Sequence, residues 1–176
     1  MSGAEVAGAA NPVRPWDMAR NRWSGIAPPG TGGVAVHGRR VLIARPEVAV
    51  ELTGVTTYPA GVSLSLVLVA TGVPAELARH ETRPLTDPHD ESAHWSYLRV
   101  RVRMDDQSGD ADPYEPASCA APPGPPEQYR AAPRYWIPGY PSTGEITLTT
   151  SWHQIGLPVS VDVLDLGVSP FSTESG

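Results

Sequence analysis

A chain of 176 residues with 40% apolar content can build one domain whose core needs neither disulfides nor metal, and its twenty prolines and seventeen glycines exclude long helices. All thirteen basic residues are arginine, which excludes a phosphate-binding P-loop lysine, a Schiff base and a Ser-Lys dyad. The net charge of −6 argues against nonspecific nucleic-acid binding, and the only cysteine, Cys119, leaves neither an internal disulfide nor a cysteine zinc site.

The amino-terminal stretch MSGAEVAGAANPVRP has no basic segment followed by an apolar run, and no later run approaches the ~20 apolar residues of a membrane span. The expectation is a cytoplasmic protein without membrane insertion. Residues 1–33 read as an arm and linker. Within it, PWDMARNRW places Trp16 and Trp23 two helical turns apart, with Pro15 and Asp17 suited to a helix start, so a short helix anchored by its indoles is expected.

From residue 34 the text turns to alternating β-branched and small or polar residues, and it predicts strands near 34–45, 47–57 and 61–71. YPAG joins the last two as a tight reversal, with proline presetting one turn angle and glycine supplying a positive φ. Residues 72–94 lose the alternation; ELARHE suits a helical turn before a charged loop. WSYLRVRVRM, 95–104, alternates again as a strand. The following 105–133, rich in Asp, Pro, Ala and Gly, is expected to be a mobile loop. Strands near 144–152 and 157–166 and a tail over 171–176 complete the chain. Short strands, frequent turn signals and no βαβ rhythm predict an all-β, antiparallel two-sheet β-sandwich over 34–170, with Ig-like, jelly-roll and C2-like connectivities open.

The order RWSGIAPP, VAVELTGVTTYPAGVSLSL, LRVRVRM, YWIPGYPSTGEITLTTSWHQIGLP resembles a group of small uncharacterised actinobacterial β-rich proteins, over roughly 23–160. The shared features are a YP-x-G turn between strands and a Trp-Pro-rich segment before a strand ending in Trp. The resemblance implies a soluble bacterial β-rich domain and brings no activity, ligand or catalytic residue. PGYPSTGE departs from it with a longer, less proline-dense turn.

Several constellations fail as chemistry. His80, His89 and His94 gather with acids, but their spacing does not put two histidines on one helical face as HExxH does. DDQSGDADPYE fails as a calcium loop, with Ala111 where glycine is needed and Ala117 where glutamate is needed. GTGG at 30–33 precedes a strand instead of following one, and there is no GxSxG elbow. No catalytic residue and no cofactor are expected.

Two constellations remain. Arg99, Arg101 and Arg103 share the outward face of their strand, while Val100, Val102 and Met104 face the core. The row reads as a surface ladder facing Glu47 and Glu51, or as an anion or partner site. Trp136, Tyr140, Trp152 and His153 form an aromatic group that either caps the end of the sandwich or lines a ligand pocket. The expected function is a noncatalytic accessory or scaffold module acting through a protein partner or as a homo-oligomer, with Trp16 and Trp23 among its contact residues. The alternative is a small-molecule or carbohydrate-binding module at the aromatic end.

Overall fold

In the computed structural model, which describes residues 22–23, 28–82, 98–114 and 127–172, the longest pairing is the hairpin of β3 (Val48–Tyr58) and β4 (Gly61–Thr71). Strict alternation along β4 turns Val62, Leu64, Leu66, Leu68 and Ala70 inward, all essentially inaccessible to solvent. On β3 the buried set runs Val48, Val50, Leu52 and then Val55 and Thr57. A bulge between Leu52 and Gly54 shifts the phase by one residue, so the apolar face continues after it.

Four short strands complete this antiparallel sheet. β1 (Val34–His37) and β2 (Arg40–Ala44) both pair with β3, one after the other along its free side. β7 (Gln128–Ala131) and β8 (Arg134–Pro138) do the same along β4. The six-stranded sheet is therefore four strand positions wide. What the sequence offers as one strand over 34–45 is broken at Gly38 and Arg39.

The second sheet is antiparallel in the order β10-β9-β5-β6, with β5 (Arg99–Met104), β6 (Gln107–Ala111), β9 (Glu145–Trp152) and β10 (Leu157–Asp165). Its inner face carries Val100, Val102, Met104, Ile146, Leu148 and Trp152 onto the leucines of β4, and the protein is an all-β two-sheet sandwich. Helix α1 (Gly72–Thr82) and a 3-10 turn (His153–Ile155) meet at one end of the sandwich. There the small Ala75 and Ala78 let the helix backbone approach closely, and Ile155 is buried.

Three expectations are corrected. Residues 105–133 are not one loop: Asp105 and Asp106 make a two-residue turn into β6, and β7 follows later. β6 has the sequence QSGDA, too poor in apolar side chains to signal a strand, yet its Gly109 and Ala111 lie opposite Val102 and Val100 and need little room over the core. Residues 115–126, including Cys119, lie outside the described residues. Gly61 of the YPAG turn does not have a positive φ. Glycine is needed there for space, since a Cβ would stand 2.5 Å from the Ile137 carbonyl oxygen and 2.6 Å from the Trp136 ring. Lastly, Arg22 and Trp23 are not the end of a helix. Arg22 bridges Asp110 in parallel, and the Trp23 amide donates to the Asp110 carbonyl at 2.9 Å. Residues 1–21, Trp16 among them, lie outside the described residues.

Candidate functional site

Alternation on the second sheet sorts its outward side chains into columns. Two cross-strand lines can be followed through the whole sheet: Val163, Thr147, Arg103, Ser108 and, beside it, Val161, Thr149, Arg101, Asp110. A third begins at Arg99 opposite Ser151. The face thus carries a valine column on β10, a column of Thr and Ser on β9, the arginine column on β5 and a polar column on β6.

The valine column inverts the usual polarity. Val159, Val161 and Val163 are 56%, 63% and 51% exposed, while Ser160 and Asp162 between them are half-buried. Of the inward positions of β10, Leu164 enters the core, whereas Ser160 and Asp162 do not. They meet the edge of β2, where the Ser160 hydroxyl donates to the Leu42 carbonyl at 3.2 Å and Arg40 pairs with Asp162 at 3.3 Å. Arg40 also donates to the Val163 carbonyl at 2.9 Å, which caps one backbone group on this sheet edge.

The arginines do not face Glu47 and Glu51. Glu51 lies on the other sheet, paired with Arg39. Asp110 of β6 is the acid beside the column, taking Arg99 at 3.1 Å and Arg101 at 3.6 Å; Arg101 also donates to the Ser108 hydroxyl at 3.0 Å. Arg103 is exposed and has no ion pair among the described residues. At the opposite edge, Arg22 holds both oxygens of Asp112, at 2.7 and 2.8 Å, and the half-buried Trp23 indole donates to the Val102 carbonyl at 3.0 Å. An open cleft of about 510 Å³ lies between this strap and the β5-β6 turn. Both arginines in its wall, Arg22 and Arg101, are already engaged.

The four aromatic-site residues are not brought together. Trp152 ends β9 in the core, edge-on to Tyr129 at 6.3 Å. His153 follows it, exposed, at the helix end of the sandwich. Tyr140 sits at the other end of β9, where its hydroxyl donates to the Leu166 carbonyl at 2.9 Å. Burial first, and the Asp165 carboxylate second, push that phenol above its ordinary pKa, in keeping with its role as a donor. Trp136 lies on the outer side of the six-stranded sheet, opposite Ser63 and edge-on to Tyr58 at 5.7 Å. Of the histidines grouped with acids, His80 lies exposed on α1 and the other two fall outside the described residues. Among the described residues no three His, Cys, Asp and Glu side chains are placed to hold a metal ion, and no helix is long and apolar enough to cross a membrane.

Sequence reasoning singled out the arginine column and Trp23 but missed Arg22, Asp110, Asp112 and the valine column. The V-S-V-D-V alternation of 159–163 was the available signal for the valines.

Comparison of the chain with models of known protein families, with curated proteins and with solved structures gave no match in any of the three. The likeness to small actinobacterial proteins accordingly contributes nothing to the functional reading.

Proposed function

We propose that this chain is a noncatalytic β-sandwich module that works through protein contacts, made by the outer face of its four-stranded sheet. The observation that carries this reading is the polarity of β10, where three valines stand in solvent and a serine and an aspartate turn inward. A contiguous exposed apolar row is the feature expected of a contact surface, since scattered exposed apolar residues are ordinary and an ordered patch is not. The dispersal of Trp136, Tyr140, Trp152 and His153 gives the small-molecule alternative no comparable support.

The test replaces Val159, Val161 and Val163 together by serine. The variant should remain folded, because these side chains contribute little to the core, and it should lose association, read by sedimentation of the purified chain and by co-purification from the native cell beside the wild type. If the variant sediments and co-purifies as the wild type does, the contact face lies elsewhere and this reading fails.

A further inference from the structure

We infer that the outer face of the four-stranded sheet is a trough for a helix of a protein partner, acidic along one flank and aliphatic along the other. This rests on the protein-contact reading and specifies the partner. The floor is the β9 column: Ser151 is 8% exposed, and Thr147 and Thr149 are only partly exposed. Its two flanks are more exposed, β10 because it is the edge strand and β5 because arginine is the longer side chain. On β10 the exposed valines make an apolar bank, and on β5 Arg99 and Arg103 are exposed, with Arg101 between them.

The banks are two strand spacings apart, ~10 Å, which matches the ~10–12 Å diameter of a helix with its side chains. A single extended segment, about one strand spacing wide, would reach only one bank. Strand addition at the sheet edges meets obstacles that the open face does not, because residues 22–23 already pair with β6 and the Arg40 guanidinium caps the Val163 carbonyl on β10.

Charge selects the acidic flank. Three guanidiniums stand beside the single carboxylate of Asp110, because Asp112 is held by Arg22, and Arg103 has no ion pair among the described residues. The column is therefore cationic on a chain whose net charge is −6. Arginines two residues apart along a strand lie ~7 Å from one another, close to the ~6 Å rise between positions four apart on a helix, so carboxylates at every fourth position can each meet one guanidinium. Glu145 and Asp165, both exposed and directly opposite each other at one end of the trough, repel; the positive end of a helix dipole is the part of such a partner that suits them. The helix should run with its amino terminus over that pair.

The experiment uses the full chain and synthetic peptides of about 16 residues, long enough to fold on contact. One carries glutamates on one flank and leucines on the other; a second replaces every glutamate by lysine. The acidic peptide should bind at least about tenfold tighter than the basic one, gain helical circular dichroism on binding, and weaken by about tenfold from 50 to 500 mM salt. Arg103→Gln, which breaks no ion pair among the described residues, and Val161→Ser should each weaken it severalfold while leaving the melting curve of the free protein in place. Equal binding of the basic peptide, an unchanged affinity in Arg103→Gln, tighter binding of a short single-stranded oligonucleotide, or self-association that Val161→Ser abolishes would each overturn the acidic-helix assignment. The first, second and last of these leave the protein-contact reading standing. Binding of neither peptide, together with unchanged association in the triple valine variant, removes both.

Discussion

Thr150 is the residue whose chemistry fits its place least. It faces inward on β9 between Leu148 and Trp152, is 1% exposed, and its hydroxyl has no hydrogen-bond partner among the described residues. A buried hydroxyl without a partner costs ~1–3 kcal/mol, and Val keeps the branched shape without the polar atom. Thr150→Val should therefore stabilise the protein by about 1 kcal/mol in urea denaturation. A loss of similar size would mean that a buried water satisfies the hydroxyl. Asp105 is the reverse case, an exposed acid with more partners than its position needs. It makes the β5-β6 turn at φ 54, and its carboxylate accepts from the Ser142 hydroxyl at 2.8 Å and the Ser142 amide at 3.0 Å. The Ser142 hydroxyl first and its amide second hold the Asp105 carboxyl below the ordinary 3.8. Because the folded value is depressed, the stabilisation is present above the unfolded value and is lost as pH falls through the folded one. Ser142→Ala should raise the Asp105 titration followed by NMR and destabilise the protein near neutrality, with the difference from wild type shrinking as the pH falls below the ordinary 3.8 and through the folded value. A difference that persists at low pH would assign the effect of Ser142 to something other than this carboxylate.

Individual strands were legible where one face is apolar and the other is not. β3, β4, β5, β9 and β10 all carry that alternation. β8, RYWIP, does not, because Tyr135 and Ile137 enter the core while Trp136 covers Ser63 and Tyr58 on the outer side, so three large side chains run consecutively. β6 and β7 are four or five residues long and their register is set by the longer strands beside them. The valine column shows a different limit. Alternation identifies two faces and leaves open which one turns inward; on β10 the inward face is the one that buries Leu164 and meets Arg40 and Leu42, about 120 residues away in sequence. The β3-β4 turn gives a prediction at this scale. A Cβ on Gly61 would press on the Trp136 ring and on a carbonyl oxygen of the paired strand β8, and the carbonyl does not move without disturbing the β4-β8 ladder. Gly61→Ala should destabilise by about 2–3 kcal/mol, read from the urea midpoint. A cost under about 1 kcal/mol would show that β8 can shift outward freely.

Seen whole, the sandwich is four strand positions over four, and its two lateral sides are closed by different means. On one side the Tyr114 amide donates to the Arg134 carbonyl at 3.1 Å and the Arg22–Trp23 strap covers β6; on the other, β10 meets β2 through an ion pair and side-chain hydrogen bonds to backbone carbonyls. That second corner is what turns the valines outward, so its stability and the contact face are linked. Arg40 is central to it, with its side chain 42% exposed and the Asp162 side chain only 12% exposed. Removing the arginine leaves a mostly covered carboxylate that shares the single Ser160 hydroxyl proton with the Leu42 carbonyl, and it releases the Val163 carbonyl. Arg40→Leu should cost about 1–2 kcal/mol, toward the lower end because the guanidinium is partly in water. Arg40→Leu combined with Asp162→Leu should cost less than the single change, because no unpaired charge is then left in the corner. Both can be read from urea denaturation near neutral pH, with light scattering as a second measurement, since an unsealed β10 edge offers free backbone groups to other chains. If the double variant is as destabilised as the sum of its two single variants, Arg40 and Asp162 act independently and the corner is held by the Ser160–Leu42 contact instead.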